Sequence, residues 1–457
     1  MRAGLRYASL LMAGLSSLFA LAAPSDSAGE PAAGQPFAIA AHIAAQPYLR
    51  MPARPDGHIP KLLSQTGAFK DTPRLVPSDE LIPYDLIVPF WSDGAQKLRW
   101  IAMPAGKIEF SPSGEWIFPA GTVFVKTFEL PVDARDPKLK RRLETRLLMV
   151  QGGGLVYGVV YKWRPDSSDA DLLPDSLTES VPIANAAGQT HSQSWYYPSR
   201  KDCITCHTQL SGGVLGPKTR QMNHDFAYPS GVADNELREW NHLGLFAARL
   251  READIEDLPR LAAPDDKSRS VEDRARSYLD ANCSQCHRPG GTVAGFDARY
   301  STPLDRQALV NGAVLLDQGI DRPRIVSPHD IWRSIAYMRI DTLGDIRMPP
   351  IDRETIDEHG VALLREWIES MPGRPVLAPP VIAPAGGTFS KSVEIRLTDS
   401  QADADIRYTL DGSVPGPSDA RYDKPFVLSG PGVVRARAFK DGFTRSITAQ
   451  EVFVVAQ

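Results

Sequence analysis

From about residue 80 the chain alternates short β-branched and aromatic runs with Pro, Gly and Ser: YDLIVPF, KLRWIAM, EWIF and TVFVKTFEL. Runs of this length, punctuated by turn residues, predict strands. The clearest hairpin is RLETRLLMVQGGGLVYGVVYKW, where two apolar-rich strands flank three glycines able to adopt the positive φ of a tight turn. Residues 61–199 are therefore expected to form one β-rich domain.

The period changes at 200. NELREWNHLGLFAARL (235–250) and VEDRARSYLDANC (271–283) carry apolar residues three and four apart, the spacing of amphipathic helices. DRETIDEHGVALLREWIESM (352–371) does the same, with Ile356, Leu363, Leu364, Trp367 and Ile368 on one stripe. Proline then interrupts the pattern in PGRPVLAPPVIAPAGG, so 373–382 is expected to be an interdomain linker. Alternating strands return in SVEIRL, DIRYTL, FVLS and VVRARAF, which predicts an immunoglobulin-like antiparallel β-sandwich over 383–457. Residues 23–60, rich in Ala, Pro and Gly without periodicity, read as a linker or lead-in. The expected fold class is multidomain α+β: a β-rich N-terminal domain, an α-helical region over 200–372, and the C-terminal sandwich. A length of 457 residues agrees with about three domains.

Two features bear on where the protein works. Arg2 and Arg6 precede the apolar run YASLLMAGLSSLFALAA, which ends in Ala20-Leu21-Ala22 before Pro24. Residues 1–22 thus have the layout of a cleavable signal peptide, and no cysteine lies nearby for lipid attachment. The mature chain is expected to be periplasmic or secreted, with no membrane span. A formal net charge of −4 and the lack of a basic stripe argue against a nucleic-acid partner. One basic run, DPKLKRRLETR at 136–146, reads as a solvated face, with docking to an acidic partner as the alternative.

All four cysteines lie in two repeats of one motif: RKDCITCH, with Cys203, Cys206 and His207, and ANCSQCH, with Cys283, Cys286 and His287. Four thiolates can bind zinc, but 76 residues separate the two pairs, far outside knuckle spacing. A thioredoxin-like dithiol needs a βαβ setting that the region around 200 lacks. Neither reading accounts for a histidine after both pairs. Covalent haem does: two thiols add to the porphyrin vinyls, and the adjoining histidine reaches the iron as proximal ligand. The chain is therefore expected to carry two haem c groups, tethered by Cys203, Cys206, Cys283 and Cys286 and ligated by His207 and His287. The first would sit in a region at 200–262 and the second in a domain at 263–372.

The order helix, haem motif, loop, GDIRMPP and closing helix over about 265–372 resembles the small monohaem cytochrome c domain. The resemblance implies Met348 as sixth ligand of the second iron, with Met338 and His329 as competitors. Prolines after Met348 would stiffen its loop. At the first site Met222 is the named candidate for the sixth position, with His224, His191 and His242 also open and packing as the plain alternative for Met222.

PYDLIVPFWSDGAQKLRWIAMP, FPAGTVFVKTF, ETRLL, YKWRPDSSDADL, YPSRKDCITCH and LGPKTRQMN together resemble an exported family of dihaem c-type cytochromes over about 80–372. Within that resemblance the positions of Met222 and His224 depart from the family's usual residues. PAGGTFSKSVEIRL, IRYTLDGSVP and ARAFKDG resemble the accessory β-sandwich appended to chitobiase and β-hexosaminidase enzymes, which implies no glycosidase activity here. Weaker signals add little. GGVLGPKT has Pro217 where a phosphate loop needs glycine, and Asp166, Asp169, Asp171 and Asp175 lack the glycine and glutamate of an EF-hand loop.

The expected function is periplasmic electron transfer with an unidentified redox partner protein. A dihaem peroxidase or other haem enzyme with an open first site is the alternative. A third reading is a redox module held to glycan or another surface through 383–457.

Overall fold

A computed structural model describes residues 36–455. The predicted signal peptide at 1–22 lies outside the described residues, as does the first part of the lead-in. Residues 45–51 of that lead-in pack into the main core, where Ala45 N donates to Met103 O (2.8 Å) and Tyr48 N to Gly121 O (2.8 Å).

The N-terminal part is built on a six-stranded antiparallel meander: Leu81–Pro83 (β1), Gln96–Ala102 (β2), Val123–Pro131 (β3), Lys140–Gly152 (β4), Leu155–Trp163 (β5) and Ala170–Leu172 (β6). β4 and β5 meet at the glycine turn expected from the sequence, with φ of +60° at Gly153 and +75° at Gly154. Both faces of the sheet are covered. On one, Trp100, Val125, Leu147 and Val159 lie in adjacent register and pack with Leu49, Leu63 and Phe69. On the other, apolar residues gather at the two ends. Ile101, Phe124, Val150 and Val156 join Trp240, Leu245 and Phe246, so residues on both sides of position 200 share one core. Phe128, Leu130 and Val160 pack under Trp195 and Tyr197 from the hairpin of Leu177–Ala184 (β7) and Thr190–Tyr197 (β8). Each fully buried large side chain of this kind contributes roughly 1.5–3 kcal/mol.

The fold class differs from the α+β expectation. Strands make up 29% and helices 15%, and the described residues hold only six short α-helices: Arg200–Cys206 (α1), Thr219–Met222 (α2), Glu236–His242 (α3), Val271–Asn282 (α4), Ile335–Ile340 (α5) and Glu358–Ser370 (α6). The protein is mainly β, and the expected α-helical cytochrome c region is not a large helical body. The physical reasons are local. The helical period of 235–250 stops at Gly244 (φ +64°), after which Ile108 N bonds Leu245 O and the chain runs alongside Ile108. Between Cys283 and Ile335 turns and short 3-10 segments replace helix. Two periodic stretches do become helices. α4 is capped by Ser270 and α6 by Asp357, and α6 buries Leu363, Leu364, Trp367 and Ile368 against Tyr278 and Leu279 of α4.

The C-terminal unit has two sheets: a three-stranded one (Val381–Ala383, Val393–Thr398, Phe426–Leu428) and a five-stranded one, around Ile395, Leu397, Val434, Ala436 and Phe453. It is not wholly antiparallel, because Gly387–Phe389 pairs in parallel with Ala449–Val455. Asp321 ties it to the preceding part, receiving Arg333 (3.1 Å), Arg437 (2.9 Å) and Arg445 (3.4 Å).

Candidate functional site

The two cysteine motifs fold alike. Ser199 caps α1, its hydroxyl accepting from Asp202 N while Asp202 accepts Ser199 N at 2.8 Å. His207 N then donates to Cys203 O (3.0 Å), and His287 N donates to Cys283 O (2.9 Å) in the same relation at the end of α4. The first thiol pair lies within α1 and the second on the turn that follows α4, each with its histidine next in the chain. None of the four cysteines is in a disulfide.

The two motifs also meet, although they are far apart in sequence. Cys206 and Cys286 lie close enough for each to act on the other's thiol, which draws Cys286 down from the ordinary thiol range and pushes Cys206 up. They lie on a cleft enclosing about 1500 Å3, part of it open to solvent. Cys203, Cys206, His207 and Cys286 line it, with Leu86, Phe124, Leu148 and Val214 as apolar wall and Pro349 and Pro350 at one side. α1 lies directly on β5. A Cβ at position 158 would come within 2.8 Å of Cys203 Sγ, so only glycine permits this approach.

Both histidines are held neutral, His207 on the cleft and His287 outside its lining. His207 Nδ1 lies 2.8 Å from Gly213 O. A carbonyl only accepts, so the proton sits on Nδ1 and Nε2 carries the free lone pair. Burial first, with Lys126 and Arg146 adding to it, holds His207 down to about 4 and keeps it neutral. His287 is likewise lowered to about 4 by burial and then Arg339; its Nδ1 is 3.2 Å from Thr292 Oγ1 and its ring stacks on Phe296 at 4.2 Å. Among the described residues no group of three or more His, Cys, Asp or Glu could by itself hold a metal ion. One thiol pair with a third thiol beside it, a neutral histidine, an apolar wall and a basic wall are the kinds of group a covalently tethered porphyrin would need.

The other predicted ligands divide. Met348 is half-buried on the segment beside the cleft; its amide donates to Arg339 O (2.8 Å), the residue whose charge acts on His287. That segment is clamped to the N-terminal sheet. Asp93 accepts Glu354 N (2.9 Å) and Thr355 N (2.8 Å), and Arg146 holds Asp352 with two bonds (2.8 and 3.1 Å). Met222 is fully buried among Trp240, Leu237 and Ile255 and does not line the cleft, so its plain packing role is the one seen. His224 pairs with Glu236 (3.2 Å), His242 stacks on Phe37 and His191 is exposed; none of the three lines the cleft. Met338 is half-buried on α5, while His329 lines a separate hollow beside the C-terminal unit.

Three links fasten the second motif region to the rest of the fold, the first of them to the segment that follows the first motif. Asp280 of α4 binds Lys218 Nζ (2.6 Å) and Arg220 Nη2 (3.0 Å), both from the LGPKTRQMN stretch. Arg288, just past the second motif, reaches Glu115 (3.1 Å). Trp91 N donates to Asn282 Oδ1 (2.7 Å). The acidic cluster is engaged elsewhere: Asp169 accepts Ser64 Oγ (2.6 Å) and Asp171 pairs with Arg164 (2.8 Å).

A set of residues went unread in the sequence. Lys97, Arg99, Lys126 and Arg146 all line the cleft. Arg146 ends the run 136–146 that reads as a solvated face; here it is enclosed between Glu144 and Asp352. Burial and then Arg146 lower Lys126 to about 8, and burial and then Arg99 hold Lys97 well below its ordinary range. The available signal was a charge beside apolar residues in a predicted strand: Lys97 and Arg99 flank Leu98, Lys126 follows Val125 and Arg146 precedes Leu147.

Residues 384–450 match the chitobiase/beta-hexosaminidase C-terminal domain family. The C-terminal sandwich is therefore similar to that accessory domain, as its motifs implied. No curated protein matches the chain. Among the described residues no helix is long and apolar enough to cross a membrane.

Proposed function

We infer that the chain is an exported c-type cytochrome with two covalently attached haems, acting in electron transfer with a partner protein outside the cytoplasm. The observation that carries this reading is the meeting of two Cys-x-x-Cys-His motifs at one cleft, which Cys203, Cys206 and His207 of the first line together with Cys286 of the second, while Cys283 and His287 stand outside its lining. The resemblance of the motifs over 80–372 to exported dihaem cytochromes supports it. Cys203 and Cys206 tether one porphyrin and Cys283 and Cys286 the other. His207, through Nε2, and His287 would hold the irons, with Met348 as the further ligand at the second. Haem, when bound, supplies a one-electron iron couple. The chain's part is to fix the histidine tautomer at Gly213, to exclude water with the apolar wall and to hold the Met348 segment through Asp93 and Arg146.

The test is a haem count on protein exported by a host with a haem-attachment system. Two haems per chain are expected, one after C203S/C206S and one after C283S/C286S. Stoichiometric zinc with no covalent haem would overturn the reading.

The family match over 384–450 favours a further role for the sandwich: contact with a glycan, holding the redox part at a polysaccharide surface. Full-length protein is expected to be retained on at least one insoluble polysaccharide, chitin first, and a chain lacking 383–457 to be lost from it. Equal behaviour of the two would sink this role.

A further inference from the structure

The face of the sheet toward the cleft is apolar at both ends and cationic between them. Arg99 of β2 stands opposite Lys126 of β3, and Lys126 opposite Arg146 of β4. Lys97, two residues before Arg99, shares that face. Like charges directly opposite one another destabilise a sheet, so this row calls for counter-charge. Two of the four cations have it. Arg99 pairs with Asp85, and Arg146 is held by Glu144 (2.7 Å) and Asp352 (2.8 Å). For the two lysines no ion pair with a carboxylate is present among the described residues. Lys97 Nζ donates to Phe90 O (2.6 Å), and Lys126 Nζ lies 5.1 Å from the centre of the Phe128 ring. Lys97 donates one of its three protons to a carbonyl, and Lys126 rests on an aromatic face, so both ammoniums keep donors to offer. Both line the same cleft as Cys203, Cys206 and His207.

We propose that Lys97 and Lys126 form a receptor for the carboxylates of the group seated in this cleft. Resting on the haem reading, these are the propionates of the porphyrin tethered at Cys203 and Cys206. Arg99 and Arg146, already paired, orient the row rather than carry the anion. The two lysines therefore bind and position the cofactor; they take no part in bond making. Their positive charge beside the propionates raises the potential of that haem, because an added electron is favoured near a cation.

The experiment uses the full chain with its haems. In K97M/K126M, one of the two midpoint potentials is expected to fall while the other holds, with the haem count unchanged. K97R/K126R keeps the charge and is expected to restore the wild-type value, which a merely structural role would not do. Two unchanged potentials in a folded, fully loaded K97M/K126M protein would overturn the proposal. If the wild-type chain carries no haem, the reading of function fails first, and the receptor is then tested alone with succinate as probe. Succinate should raise the melting temperature of the wild-type chain and bind about tenfold more weakly to K97M/K126M, the loss expected of charge-assisted hydrogen bonds. Equal binding by both would reject the receptor itself.

Discussion

Arg220 places its guanidinium against the carboxylate of Asp280, Nη2 3.0 Å from Oδ1, with both side chains withdrawn from solvent. Lys218 approaches the same carboxylate at 2.6 Å and Tyr300 N donates to it at 2.9 Å. One buried acid thereby fastens the segment after the first cysteine motif to the helix that leads into the second.

Breaking that fastening should be costly, since removing one partner strands two buried cations. Asp280→Asn is expected to lower unfolding free energy by about 3–5 kcal/mol, read as a shift in denaturation midpoint. Lys218 and Arg220 outweigh the burial that opposes them and hold Asp280 well below the usual carboxylate range. The sign follows from that depression. The contribution is full above about pH 4, where an unfolded aspartate ionises, and is lost as pH falls further. The variant should therefore show a flatter acid limb, and an unchanged limb would contradict the assignment.

A second buried acid runs the other way. Glu236, wholly buried on α3, is pushed up to about 7, chiefly by burial, while His224 beside it is raised by that same carboxylate. A raised carboxyl costs stability as pH climbs past its unfolded value of about 4.3. A raised histidine loses its contribution as pH climbs through its folded value. Both effects reduce stability between about pH 5 and 8, by on the order of 1–2 kcal/mol. Glu236→Gln should flatten the pH dependence across this window, measured by thermal unfolding at fixed salt. A slope kept in the variant would assign it to other groups.

At Gly158 the geometry predicts a defect confined to one motif. A methyl there meets Cys203 Sγ at 2.8 Å and Cys203 Cβ at 3.3 Å. Gly158→Ala must push α1 off β5, at a cost of about 1–3 kcal/mol. On the proposed function, covalent loading should fall toward one haem per chain, with the Cys283–Cys286 motif still filled. Full loading with unchanged stability would show that α1 can move aside freely.

Why some of this could be read beforehand and some could not is a matter of range. The Gly153–Gly154 turn and the helices at 271–282 and 358–370 rest on periods and caps within a dozen residues. The cysteine motifs are shorter still. The helical expectation for 200–372 failed where long-range pairing overrode local period, as when Ile108 captured the chain after Gly244. Met222 stands at the end of the short α2 with polar neighbours on either side in sequence, and only the assembled core shows it packed with Trp240. The cationic row lay beyond reach for the same reason. Lys126 is 27 residues from Arg99 and 20 from Arg146 along the chain, and strand pairing alone makes them neighbours.

The last prediction joins Asp93 to Met348. Asp93 lies in WSDG, far from the second motif in sequence, yet it accepts Glu354 N, Thr355 N and Thr355 Oγ1 (3.0 Å), fixing the end of the segment that begins at Met348. Arg353 extends the clamp, its guanidinium donating to the Met348 carbonyl. If Met348 is the sixth ligand, Met348→Ala should alter the reduced spectrum and lower the potential of one haem, because a thioether ligand raises it. Asp93→Ala leaves the thioether in place but frees its segment. It is therefore expected to give the same change in kind, smaller in size and growing on warming. A response to Met348→Ala without any to Asp93→Ala would show that the loop holds its ligand unaided. No response to either would remove Met348 from the coordination sphere and leave His287 with a different partner.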